Sequence, residues 1–96
     1  MQFPECKYAK TNSIFEQWQH TRSEALEVQI AVFDLLQAVG GESRLARAKA
    51  AVEELADLRH SAETLARVIQ REFSEIDLDV MDATVINKNF GRGYYE

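Results

Sequence analysis

The sequence is short of everything that interrupts a helix. It holds one proline, Pro4, and four glycines in 96 residues. Neither type occurs between Lys10 and Val39 or between Glu42 and Asn89, so long helices are the expected background. A lone cysteine, Cys6, excludes an intramolecular disulfide and fits a reducing, cytoplasmic setting. No run approaches the ~18 apolar residues of a membrane span. Met1 to Lys10 also lacks the basic stretch and apolar core of a secretory signal, so no membrane partner is expected. Positive charge is scarce: 11 Lys and Arg against 16 Asp and Glu leave a net charge of −5. Such a chain does not attract DNA non-specifically, though local cations can still meet a small phosphorylated ligand.

What is present is the composition of an ordinary globular protein, 46% hydrophobic and 28% charged. The length suits one domain spanning residues 1–96. A chain this short buries about 60–70% of its unfolded surface, so association between copies would help it.

The pattern predicts an irregular lead over residues 1–10 and then helices. Thr11, Asn12 and Ser13 are candidate N-caps, with Ile14, Phe15 and Trp18 following at helical spacing. The first helical stretch either bends near His20–Ser23 or runs straight on. Ala25, Leu26, Ile30, Phe33 and either Leu36 or Leu35 then form an apolar stripe reaching about Val39, where Gly40-Gly41 is expected to end the helix. A second long helix is predicted from Glu42–Ser43 to about Phe73. Its expected buried face is Leu45, Ala48, Val52, Leu55, Ala62, Leu65, Ile69 and Phe73, and about 30 residues give roughly 45 Å. The short turn between these helices predicts antiparallel packing. Ser74-Glu75-Ile76-Asp77 resembles a capping box for a last helix over about Glu75 to Phe90. Gly91 and Gly93 then leave a short tail over 91–96. The expected class is therefore all-α, a bundle of about four helices around an antiparallel helical hairpin.

Two acidic pairs stand out. Glu24 and Glu27 are three apart, as are Glu54 and Asp57, so each pair projects from one helix face. Glu27 lies thirteen residues before Gly40, and Glu54 thirteen after Gly41. In an antiparallel hairpin, equal distances from the turn bring both pairs to one level. Two unit charges 6 Å apart at an effective dielectric near 20 repel by roughly 3 kcal/mol, so four such groups call for a cation. An all-oxygen set suits Mg²⁺, Mn²⁺ or Ca²⁺ rather than zinc. Either pair alone is common on a solvated helix face. The apolar neighbours Ala25, Leu26, Leu55 and Leu58, and the symmetric placement, favour a metal site.

At these residues the chain resembles the MazG-like nucleotide pyrophosphohydrolases. The resemblance rests on Glu24-Ala25-Leu26-Glu27, a spacer of 26 residues, and Glu54-Leu55-Ala56-Asp57. The late segment Lys88-Asn89-Phe90-Gly91-Arg92-Gly93-Tyr94 is similar to the family's Lys-Asn-x-x-Arg-Gly-Tyr ending. Many members open the first motif with two glutamates, whereas Ser23 precedes Glu24 here. The resemblance implies Mg²⁺-dependent hydrolysis of a nucleoside triphosphate to the monophosphate and pyrophosphate. It further implies a homodimer or homotetramer with pockets completed between subunits.

Glu24, Glu27, Glu54 and Asp57 would hold the metal, with Glu24 or Glu54 orienting or deprotonating the water. Lys88, Asn89 and Arg92 would reach phosphate or base, and Trp18 is either a core anchor or a wall of the base pocket. His20 and His60 read as surface or hydrogen-bonded histidines. A di-iron bundle needs Glu-x-x-His on two helices, and Asp57-x-x-His60 occurs once. The remaining alternative is a noncatalytic helical module that binds a partner protein.

Overall fold

The computed structural model describes residues 1–95, and among them the chain is all-helical. The elements are α1 (Tyr8–Thr11), α2 (Ile14–Leu36), α3 (Gly41–Glu72) and α4 (Leu78–Gly91). The four-helix, all-α expectation holds.

Ser13 is the cap of α2. Its hydroxyl accepts from Glu16 N at 3.0 Å, and the Glu16 carboxylate accepts from Ser13 N at 2.9 Å. This reciprocal pair satisfies two donors that the helix start leaves free. From there α2 runs to Leu36 without a break, so nothing bends at His20–Ser23. It stops short of Val39, and the glycines have a different task from the one expected. Gly40 (φ 136°) is the N-cap of α3 and Gly41 (φ 66°) its first residue. Both angles lie where a side chain is strained, so the pair starts α3 rather than ending α2.

The lead is less irregular than expected. Tyr8–Thr11 form one helical turn, with Ala9 buried and Arg71 donating to the carbonyls of Ala9 and Asn12. The expected capping box at Ser74 is also replaced. Asp77 is the cap of α4, its carboxylate accepting from Asp79 N and Val80 N, while Ile76 N turns back to Phe73 O. At its far end α4 closes in a Schellman turn. Gly93 (φ 76°) donates to Phe90 O and Tyr94 N to Asn89 O, both at 3.0 Å.

All other helices pack on α3, and α2 does so along most of its length. Gln17 and Thr21, early in α2, bond to Ser61, late in α3. Asp34, near the end of α2, meets Arg47 near the start of α3. The α2 residues turned to α3 are Gln17, Thr21, Glu24, Val28, Val32 and Leu35, all buried or half-buried at three- and four-residue steps. This is not the expected stripe. Leu26, Ile30, Phe33 and Leu36 are exposed, Ile30 by 69%. On α3 the buried line is Ala51, Ser61, Thr64 and Val68, whereas Leu45, Val52, Leu55 and Phe73 are exposed. Small and polar groups let the two helices approach closely, and the larger apolar groups are turned outward. The radius of gyration is 16.3 Å, against about 12.5 Å for a compact chain of this length.

Candidate metal centre

The seam between α2 and α3 changes character along its length. At one level it is a closed polar network. Gln17, 2% exposed, accepts from Asn12 Nδ2 at 2.9 Å and donates from Nε2 to Ser61 Oγ at 3.1 Å and to Ser61 O at 3.3 Å. The Thr21 and Ser61 hydroxyls share a bond at 2.8 Å, and Thr64 Oγ1 donates to His60 O at 3.0 Å. None of these side chains keeps a buried polar atom without a partner.

One to two turns further along α2 the seam turns acidic. Glu24 follows Gln17 by seven residues, two helical turns, and so keeps to the same face. Glu24, Glu27 and Glu54 converge, with one carboxylate oxygen of each within 4.8 Å of the others. Glu24 and Glu54 are half-buried and Glu27 exposed. One oxygen of each buried carboxylate, Glu24 Oε2 and Glu54 Oε2, is shut from solvent and has no hydrogen-bond partner. Burial raises the pKa of Glu24 above the usual 4.5, and the charge of Glu27 raises it further, opposed by His20. Burial and then the charges of Glu27, Asp57 and Glu24 raise Glu54 in the same direction. His20 Nε2 stands 3.4 Å from Glu24 Oε1.

Three of the four expected ligands therefore meet. Asp57 is exposed and outside that trio, though its charge acts on both buried carboxylates. It lines, with Glu24, a cavity of about 170 Å³ whose other walls include Tyr8, Gln17, His20 and His60. His60 Nε2 is a third buried polar atom without a partner. Cys6 and Tyr8 of the lead also line the cavity and form its roof, and the Phe3 ring stacks on His60 with centroids 5.0 Å apart. That roof is clamped from both sides. The Glu63 carboxylate accepts from Gln2 N and Phe3 N, and Arg67 donates to Phe3 O at 2.9 Å and Pro4 O at 3.2 Å.

The other expected residues lie apart. Trp18 is 49% exposed, one residue round from Gln17 on α2, and does not line this cavity. Lys88, Asn89 and Arg92 sit at the far end of α4, where no hydrogen bond or ion pair links them to the carboxylates among the described residues. Asn89 Nδ2 donates instead to Tyr95 Oη at 3.4 Å, and Tyr95 packs edge-on against Phe90.

Gln17, Thr21, Ser61 and Glu63 were not among the expected functional residues. A signal for the first two existed: Gln17, Thr21 and Glu24 recur at four and then three residues, a polar line on the helix. No family model, curated protein or solved structure matches the chain.

Proposed function

We propose that the chain is a MazG-like nucleoside triphosphate pyrophosphohydrolase, built on an antiparallel α2–α3 hairpin and dependent on Mg²⁺, with Mn²⁺ as a substitute. The observation that carries this reading is the convergence of Glu24, Glu27 and Glu54 with two buried carboxylate oxygens that lack any partner. Buried polar atoms are almost always satisfied, and an unpaired one calls for an ion, a water or a chemical role. An all-oxygen, all-anionic donor set fits a hard cation, which usually keeps part of its coordination for water and substrate phosphate. Glu24, Glu27 and Glu54 would hold the cation, and Asp57, at the cavity edge, would complete the set when substrate closes on it. A bound cation would supply charge neutralisation of the phosphate oxygens and polarise the attacked phosphorus.

The protein's own groups then have separable tasks. Glu24 and Glu54, both raised in pKa by burial and by neighbouring charge, are suited to orient a water and accept its proton. The lead walls the adjoining cavity on one side through Cys6 and Tyr8. Lys88, Asn89 and Arg92 are offered by a helix that touches the rest of its own chain mainly at α3, an arrangement suited to reaching a neighbouring subunit. Self-association is supported by area. The isolated chain exposes 7198 Å², against about 5,600 Å² for a compact monomer of its mass. Much of the excess is apolar, and Phe15, Trp18, Leu26, Ile30 and Phe33 make one exposed ridge along α2. A homodimer or homotetramer that covers this ridge is therefore part of the proposal.

The test is pyrophosphate release from a panel of ribo- and deoxyribonucleoside triphosphates, with and without Mg²⁺. Metal-dependent turnover is expected, with Glu54→Gln lowering it at least ~10²-fold. If folded protein turns over no nucleotide, the hydrolase reading is overturned in favour of a noncatalytic helical module that binds a partner.

A further inference from the structure

A second cleft lies away from the carboxylates. It measures about 530 Å³ and lies where the lead, α1, the last turns of α3 and the start of α4 meet. That volume is within the ~300–1,000 Å³ range of small-molecule sites. Its walls carry Lys10, Arg67 and Arg71 against one carboxylate, Glu5. Three cations to one anion is a local reversal in a chain whose net charge is −5.

The two arginines are held in place by backbone. Arg67 donates to Phe3 O and Pro4 O, and Arg71 to Ala9 O and Asn12 O. A guanidinium has five N–H donors, so each keeps three for a ligand while its orientation is fixed. Lys10 makes no side-chain hydrogen bond or ion pair among the described residues, and Ser74 adds a hydroxyl that is likewise unused. Leu78, the first residue of α4, also lines the cavity.

We propose that this cleft is a second binding site, separate from the carboxylate cluster, for a compact phosphate-type polyanion. Pre-oriented guanidiniums bind phosphate oxygens through paired N–H bonds, and the lysine adds a point charge. Free pyrophosphate and the phosphate arm of a nucleotide share this chemistry. The site does not depend on the hydrolase reading, because nothing in it uses a divalent cation.

The experiment is a titration of the full chain with inorganic pyrophosphate in EDTA at low ionic strength, which keeps the carboxylate cluster out of the measurement. A nucleoside triphosphate and a monophosphate form parallel arms. One saturable site is expected, weakening as salt is added. Lys10→Glu and Ser74→Glu reverse or add charge without touching the arginine clamps. Both are expected to weaken binding by tenfold or so while leaving the thermal melt unchanged. Weakening of more than threefold in both variants sustains the proposal. Absence of saturation, or a smaller effect in either folded variant, overturns it. Tighter binding of the triphosphate than of pyrophosphate, with the same loss in Lys10→Glu, makes a nucleotide the ligand. The reverse order makes it a free polyphosphate.

Discussion

Two stretches of one helix seam, a turn or two apart, solve opposite problems. Around Gln17, Thr21, Ser61 and Thr64 the buried polar groups satisfy one another. Around Glu24, Glu54 and His60 they do not, and all three keep a buried atom without a partner. The first is closed by neutral groups that donate and accept. The second brings three carboxylates together, and their charges oppose one another. A closed network stabilises a unique helix register. An open one stores a deficit that an added ligand can remove.

The sharpest way to break this comparison is with metal. Wild-type protein at a Mg²⁺ concentration near a hundred times its Kd should gain about 2.7 kcal/mol, a rise in Tm of some 10–20 °C for a domain this small. Glu54→Gln should lose that gain yet melt no lower than wild type without metal, because it removes a charge that burial and its neighbours already disfavour. A metal-free Glu54→Gln protein that melts well below wild type would mean that the acidic stretch is structural. Next in size is Gln17→Ala. It strands the Asn12 amide and takes a donor from Ser61, and should cost about 1–3 kcal/mol in urea unfolding while leaving the Mg²⁺-induced shift in place. Loss of the metal response in that variant would show that the two stretches are one unit.

The smallest effect is on pH dependence, and its sign separates the carboxylates. Glu24 and Glu54 have raised pKa values in the fold, so without metal they destabilise it above those values. Acidification from neutral pH toward 4.5 should therefore raise stability. Glu63 has a lowered pKa, held down by the Gln2 and Phe3 amides against the effect of burial. Its contribution is present above 4.5 and is lost as pH falls through the lowered value. Metal-free protein should show a stability maximum on the acid side of neutrality. Replacing both Glu24 and Glu54 by Gln should flatten the rise and keep the acid loss, a result readable from melts between about pH 2 and 8. With saturating Mg²⁺ the rise should turn into a decline, because protons then compete with the ion.

Much of this was legible in the residues. Thr11, Asn12 and Ser13 marked the start of α2 as candidate caps, and paired glycines marked the break before α3. The equal spacing of Glu27 and Glu54 from that break placed them at one level, as found. Which face of α2 turns inward was not legible. Leu26, Ile30 and Phe33 read as core because apolar periodicity reports any buried face, including one that only a second chain would cover. Gln17, Thr21 and Ser61 were not singled out, because their burial depends on partners 40 and 44 residues away, which no single helix reveals. Asp57 shares a face with Glu54 by spacing, but it lies nearer the cavity mouth and stays exposed. The roof was hidden for the same reason: Phe3 and His60 are far apart in sequence, and only the Glu63 and Arg67 clamps bring them together.

Those clamps also set an order in time. The α2–α3 pairs across the glycine turn, such as Asp34 with Arg47, close short loops. Phe3 with Glu63 and Phe3 with Arg67 join residues 60 and 64 apart. Long loops close late, since their entropy is paid before their contacts form. The hairpin should therefore assemble first and the lead seal over it last. Amide hydrogen exchange should show the lead opening at a free energy well below that of the hairpin. The roof of the cavity would then be the first part of the molecule to lift and the last to settle, which makes it the natural route by which a ligand enters and leaves.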